Sequence, residues 1–225
     1  MTTAVSYATR DYFQTRLMNQ LTALYQITLL SSLVKHYILT SAKGSTRFPK
    51  YPDMPYHIHI LNGLYPALLL LEQRFEKEKI SESEELEAYL KCLVVGFTLH
   101  DINKLVDIPD LDQAVAQKLS QVCHELDVKV FFPEWQDYQN EIEFLILGTE
   151  NRTASFAFSK PIREWNFFND TLRPACHFAD SIASITDFES VSDFYDRICS
   201  IRFNNRRLDE KWKLSFVEVN DNIYT

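Results

Sequence analysis

The stretch SESEELEAYLKCLVVGFTLHDINKL, residues 81–105, decides the fold. It opens on Ser81 and Glu84, a Ser-x-x-Glu capping box that starts a helix. It runs on through Leu86, Leu90, Leu93 and Phe97 at helical spacing, to His100 and beyond. Its second half is apolar on most faces, which predicts a central, buried helix.

The flanking sequence reads the same way. Upstream, Tyr12 to Leu39 predicts one or two helices, with Leu17, Leu21, Leu24, Leu29 and Leu33 on the apolar side. A loop follows from Lys43 to Pro55, where Gly44, Pro49, Pro52 and Pro55 break any helix. Lys43, Arg47 and Lys50 make it a small basic patch. A further helix spans about His57 to Lys79, and Pro66 should kink or break it. Downstream, a turn at Asp107–Asp110 precedes a helix from Leu111 to about Val128. A short connection at Phe131–Pro133 leads to a helix over Glu134–Glu150, ending near Gly148. Ser159 to Arg163 is a connector, and Trp165–Phe168 reads as a packed loop. Pro174 opens a helix to about Ile185, since its missing N–H costs nothing at the first helical position. Asp187 to Phe203 predicts one more helix, and Trp212 to Val219 alternates enough for a short C-terminal strand. The prediction is an all-α bundle.

Composition agrees. Only 4 of 225 residues are glycine, too few for a fold rich in tight hairpins. The length suits a single domain: an N-terminal helical extension and loop over 1–55, a core over 56–187, and a C-terminal helix and tail over 188–225. The net charge of −8 argues against coating nucleic acid by bulk charge, while leaving room for a local basic groove. The 4 cysteines (Cys92, Cys123, Cys176, Cys199) form no CxxC pair, which fits a reducing cytoplasm rather than a disulfide framework. The N-terminus lacks the apolar segment of a signal peptide. The longest central apolar run, Leu64–Leu71, is too short to span a bilayer.

Three pieces carry chemistry. His100 and Asp101 adjoin at the end of an apolar helix, where burial of a charged pair is costly without a partner such as a metal ion. Imidazole with carboxylate suits Mn, Fe, Co, Ni or Zn better than Ca. His57 and His59 lie two apart, so only one can face such a site, and His59 is the preferred candidate. Gly63, one turn on, costs about 1 kcal/mol in a helix relative to Ala and so points to close approach of another backbone, the His100–Asp101 helix being the candidate. His177 and Asp180 share a helix face, and Ala175, Ala179 and Ala183 let that helix pack closely.

A lone His, then His-Asp followed by Lys, then Ala-Asp, on successive helices, resembles the HD superfamily of metal-dependent phosphohydrolases. The strings Leu99-His-Asp-Ile-Asn-Lys-Leu105 and Tyr56-His-Ile-His-Ile-Leu-Asn-Gly-Leu-Tyr-Pro-Ala-Leu68 are similar to the N-terminal HD nuclease domain of the large subunit of type I-D CRISPR effector complexes. Asn103 stands where most HD proteins carry Gly.

The resemblance implies an HD-domain helical bundle and a divalent ion (Mn, Ni, Co, Fe or Mg) held by His59, His100, Asp101 and Asp180. A second ion has little support, because the chain between offers only His124 and Glu150. It further implies hydrolysis of phosphodiester bonds in single-stranded DNA, with CRISPR effector subunits and a helicase as partners. Within that chemistry Lys104 would neutralise phosphate charge, and His177 would orient a ligand or protonate the leaving group. Of the aromatic residues, which include Tyr51, Tyr56, Phe131, Phe132, Trp135, Trp165, Phe167 and Phe168, some offer surfaces for base stacking, while most suit the core or a partner interface better. Two other readings of the sequence stand beside this one: a phosphohydrolase of free nucleotides, and a catalytically silent scaffold that docks partners.

Overall fold

The computed structural model describes residues 16–43, 54–150 and 160–184, and the backbone of two short strands at 202–203 and 206–207. These residues are helical almost throughout, as an all-α bundle requires.

The chain enters through α1 (Arg16–Tyr25), a π turn (Gln26–Leu30) and α2 (Ser31–Tyr37), without leaving helical backbone at either junction. The buried residues Leu17, Leu21, Tyr25, Leu29 and Leu33 recur every four positions. An α-helix repeats every 3.6 residues, so a strict spacing of four drifts round its surface. The wider π turn takes up the excess. A small antiparallel ladder, β1 (Ser41–Lys43) with β2 (Met54–Pro55), then delivers the chain to α3 (Tyr56–Glu78).

Pro66 does not break α3, which runs unbroken for 23 residues. Leu64, Ala67, Leu68 and Leu71 are buried on either side of it, and their packing outweighs the lost hydrogen bond. The central helix, α4 (Glu84–Thr98), begins two residues later than the Ser81 capping box requires. Ser83 is its N-cap, accepting a hydrogen bond from the Leu86 N–H at 3.1 Å. That start sets Glu84, Glu85 and Glu87 in the first turn, where the helix dipole favours acids. From Cys92 to Thr98 every residue of α4 is buried.

The helix ends at Thr98 rather than passing through His100. A turn carries His100 and Asp101 into the short α5 (Ile102–Leu105). Next come α6 (Leu111–Glu125), capped by Asp110, and α7 (Val128–Phe131). The expected single helix to Val128 is interrupted at Asp127, whose φ of 51° is left-handed. A 3₁₀ turn at Trp135–Tyr138 opens the segment expected to start as helix at Glu134, and α8 (Gln139–Thr149) follows with Gly148 inside it.

Trp165–Phe168 is not a loop. It forms α9 (Trp165–Phe167) and enters a π turn (Phe168–Leu172) that continues into α10 (Arg173–Ala183). Pro174 falls at the second position of α10, close to where it was expected, although the π turn before it runs into the helix without a break. It sits just past the π turn, where the backbone hydrogen bonds change register and a missing N–H is tolerated. Arg202–Phe203 (β3) pairs antiparallel with Arg206–Arg207 (β4), which corrects the end of the helix expected over Asp187–Phe203. Asn204 and Asn205, residue types suited to tight turns, separate the two strands in sequence. Positions 187–201 and the expected strand at Trp212–Val219 lie outside the described residues.

Three helices, α3, α8 and α10, pack around α4, and α10 lies closest along α3. Two glycines set these approaches. A Cβ on Gly63 would fall 2.4 Å from the Ala179 carbonyl oxygen of α10 and 2.7 Å from Phe97 Cζ of α4. The close backbone is thus α10, while the His100–Asp101 helix meets Gly63 only through the Phe97 ring. A Cβ on Gly96 would meet Leu145 Cβ of α8 at 2.8 Å.

Gly63→Ala should lose more by overpacking, about 1–3 kcal/mol, than the roughly 1 kcal/mol it gains in helix propensity. Thermal melting should therefore show a lower Tm. An unchanged or raised Tm would contradict the close α3–α10 contact.

Candidate metal centre

The α3–α10 contact places His59, four residues before Gly63, opposite Asp180, one residue after Ala179. The turn after α4 brings in His100. His59 Nε2 lies 3.2 Å and His100 Nε2 3.6 Å from Asp180 Oδ1, and the two imidazole rings are 5.3 Å apart. One ligand-type atom from each of the three residues lies within 4.8 Å of the others. Bonds to a divalent ion are about 2.1 Å long, so atoms sharing one ion stand a few ångströms apart, and this trio meets that condition.

Asp101 adjoins the trio without being its equal. Its Oδ2 lies 3.4 Å from His100 Nε2 and is ion-paired to Lys104 Nζ. Lys104 also donates to the Ala42 carbonyl at 3.0 Å, tying β1 to the site. The end of α4 explains how adjacent residues both reach this place. Thr98 is its last residue, and Asp101 (φ −108°, ψ 34°) is outside helical geometry. The roughly 100° separation of neighbours on a helix no longer applies there.

Two supports hold the turn. His100 Nδ1 lies 2.8 Å from the Phe97 carbonyl, and the Phe97 and His100 rings stack at 4.7 Å. A carbonyl can only accept, so Nδ1 carries the proton of the neutral ring and Nε2 presents its lone pair. The second support is Tyr56, fully buried, whose hydroxyl donates to the Thr98 carbonyl at 2.9 Å. Nothing in the spacing of Tyr56 marks it in sequence, where it counted only as a candidate base-stacking aromatic.

The electrostatics show what the residues need. The His100 Nε2 lone pair faces two carboxylate oxygens and has no hydrogen-bond partner of good geometry. Such an arrangement repels unless a proton or a cation lies between the groups. Burial alone lowers the His100 pKa, but the neighbouring Asp101 and Asp180 carboxylates outweigh it, and the net shift is upward. Burial likewise pushes Asp180 up, and the His100 and His59 imidazoles beside it hold it well below the usual carboxylate range. Asp101 is held low against its own burial by His100 and Lys104. Two nitrogens and a carboxylate, with a second carboxylate at hand, make a donor set fit for a transition-series divalent ion.

The remaining candidates fall elsewhere. His57 is only half-buried and lies outside the trio. His177 sits one turn before Asp180, hydrogen-bonded to the Thr149 backbone, and burial lowers its pKa. His124 is exposed and stands edge-on to Trp135. Glu150 is exposed just past α8. Neither joins a metal-type cluster among the described residues. Tyr56, Phe131, Phe132, Trp135 and Phe168 are buried in the core and present no stacking face. Phe167 packs against Phe75 and Tyr89, while Trp165 is 37% exposed. Tyr51, Arg47 and Lys50 lie outside the described residues. No helix among the described residues is long and apolar enough to cross a membrane.

Compared with known proteins, the chain matches no family model, no curated protein and no solved structure.

Tyr56→Phe removes the donor to the Thr98 carbonyl and leaves a buried acceptor unsatisfied. It should cost about 1–3 kcal/mol in urea unfolding. A variant as stable as the parent would show that the tyrosine does not brace this turn.

Proposed function

We propose that this chain is an HD-type metal-dependent phosphohydrolase that cleaves phosphodiester bonds of single-stranded DNA in CRISPR antiviral defence. The observation that carries the reading is the convergence of His59, His100 and Asp180 from α3, the α4–α5 turn and α10, with Asp101 beside them. His59, His100 and Asp180 would hold the ion, and Asp101, now paired with Lys104, would offer a second carboxylate. A bound divalent ion supplies an acidified water and polarises a phosphoryl oxygen.

The chain's own residues do the rest. Lys104, once parted from Asp101, presents its charge to a phosphate oxygen and remains anchored through Ala42. The low pKa of His177 leaves it neutral near pH 7, which favours an orienting role over that of a general acid. Both ligand histidines are fully buried, so the scissile phosphate must reach into a recess. A flexible single strand can do so more readily than a duplex. In this role the chain would work beside CRISPR effector subunits and a helicase.

A free nucleotide would offer such a site the same kind of phosphate oxygen. With Mn²⁺ added, the protein should degrade single-stranded DNA in preference to free nucleotides, and His100→Ala or Asp180→Asn should abolish the activity. Release of phosphate from nucleotides alone would favour the nucleotidase alternative. Absence of any metal-dependent hydrolysis would leave only the scaffold.

Metal affinity should depend on pH with a definite sign. The raised pKa keeps His100 protonated above its ordinary range around 6.5, and that proton must leave before Nε2 can bind an ion. Mn²⁺ titrations should therefore give an affinity that rises by up to about tenfold per pH unit and flattens above the raised pKa. Affinity independent of pH between 6 and 8, or falling over that range, would exclude His100 as a ligand.

A further inference from the structure

The metal-type cluster is most open to solvent at Asp180; the Asp101 side chain beside it is 13% exposed. His59 and His100 are fully buried, whereas the Asp180 side chain is 23% exposed. A substrate therefore arrives over α10. Between residues 173 and 180 of that helix every residue is buried except Arg173, His177 and Asp180. Their i, i+4, i+7 spacing makes one continuous stripe.

Arg173 is the cation of this stripe, about two turns from Asp180, or roughly 10 Å along the axis. Arg173 is half-buried with the Asp170 carboxylate near it, and its Nε makes no hydrogen bond. An N–H left without an acceptor is costly, and a phosphate oxygen would satisfy it once the side chain turns toward solvent. The backbone of β3 packs beside the π turn that precedes Arg173. On a chain of net charge −8, Arg173 is a cation set two turns from the candidate centre. A cation at that distance has no use to a substrate with a single phosphate. It suits a strand whose next phosphates continue along the helix toward its N-terminus.

We propose that Arg173 forms an anion subsite for a neighbouring phosphate of the substrate strand, so that the site selects polynucleotides over single-phosphate substrates. This rests on the phosphohydrolase reading and deepens it. The Arg173→Gln protein, with Mn²⁺, is assayed on a thymidine oligonucleotide and on bis(p-nitrophenyl) phosphate, a diester with one phosphorus.

The expected result is a KM for the oligonucleotide raised about ten- to hundredfold, with kcat near the parent value and the small diester unaffected. The slope of log KM against log salt should fall by about 0.7, the value for one lost phosphate contact to a single strand. Arg173→Lys keeps the charge and should restore that slope. Equal losses on both substrates, or an unchanged oligonucleotide KM, overturn the subsite and leave the phosphohydrolase reading standing. A parent protein that hydrolyses neither substrate overturns both.

Discussion

The candidate centre depends on one steric constraint, the contact of α3 with α10 at Gly63. Any side chain there would collide with the Ala179 carbonyl. Only with the two backbones that close can His59 and Asp180, each within four residues of the contact, bring a nitrogen and an oxygen to 3.2 Å. The alanines of α10 serve the same end, since Ala175, Ala179 and Ala183 are all buried. Glycine weakens a helix, and here that weakness is offset by what the close approach allows.

The second requirement is an interruption. Adjacent residues in a continuous helix diverge, so His100 and Asp101 can share a site only because α4 stops at Thr98. The stop leaves backbone carbonyls in need of donors. Two of them are met by site-forming groups, Thr98 by Tyr56 and Phe97 by the His100 ring. The same hydrogen bonds that close the helix therefore fix the orientation and the tautomer of the histidine. Lys104 binds the far side of the turn to Asp101 and β1. Helix termination and site assembly are one structural event.

Much of this was legible in the sequence. The helical class followed from scarce glycine and 3.6-residue periodicity. Gly63, an expensive residue in a helix, marked a close backbone contact, although its partner is α10 and not the His100–Asp101 helix. What escaped were features set by tertiary packing. The π turns at Gln26–Leu30 and Phe168–Leu172 reconcile local periodicity with a shared core. The break at Asp127 places a non-glycine residue in left-handed backbone. The N-cap fell on Ser83 although Ser81 offered the recognised spacing, because capping depends on which residue directly precedes the first turn. Tyr56 was missed as a brace since its partner, the Thr98 carbonyl, is 42 residues away.

The most direct measurement is anomalous scattering from crystals grown with Mn²⁺. The account predicts one strong peak within coordination distance of His59 Nε2, His100 Nε2 and an Asp180 carboxylate oxygen, with Lys104 withdrawn from Asp101. A map without a peak there at saturating Mn²⁺, with the trio in place, would contradict it.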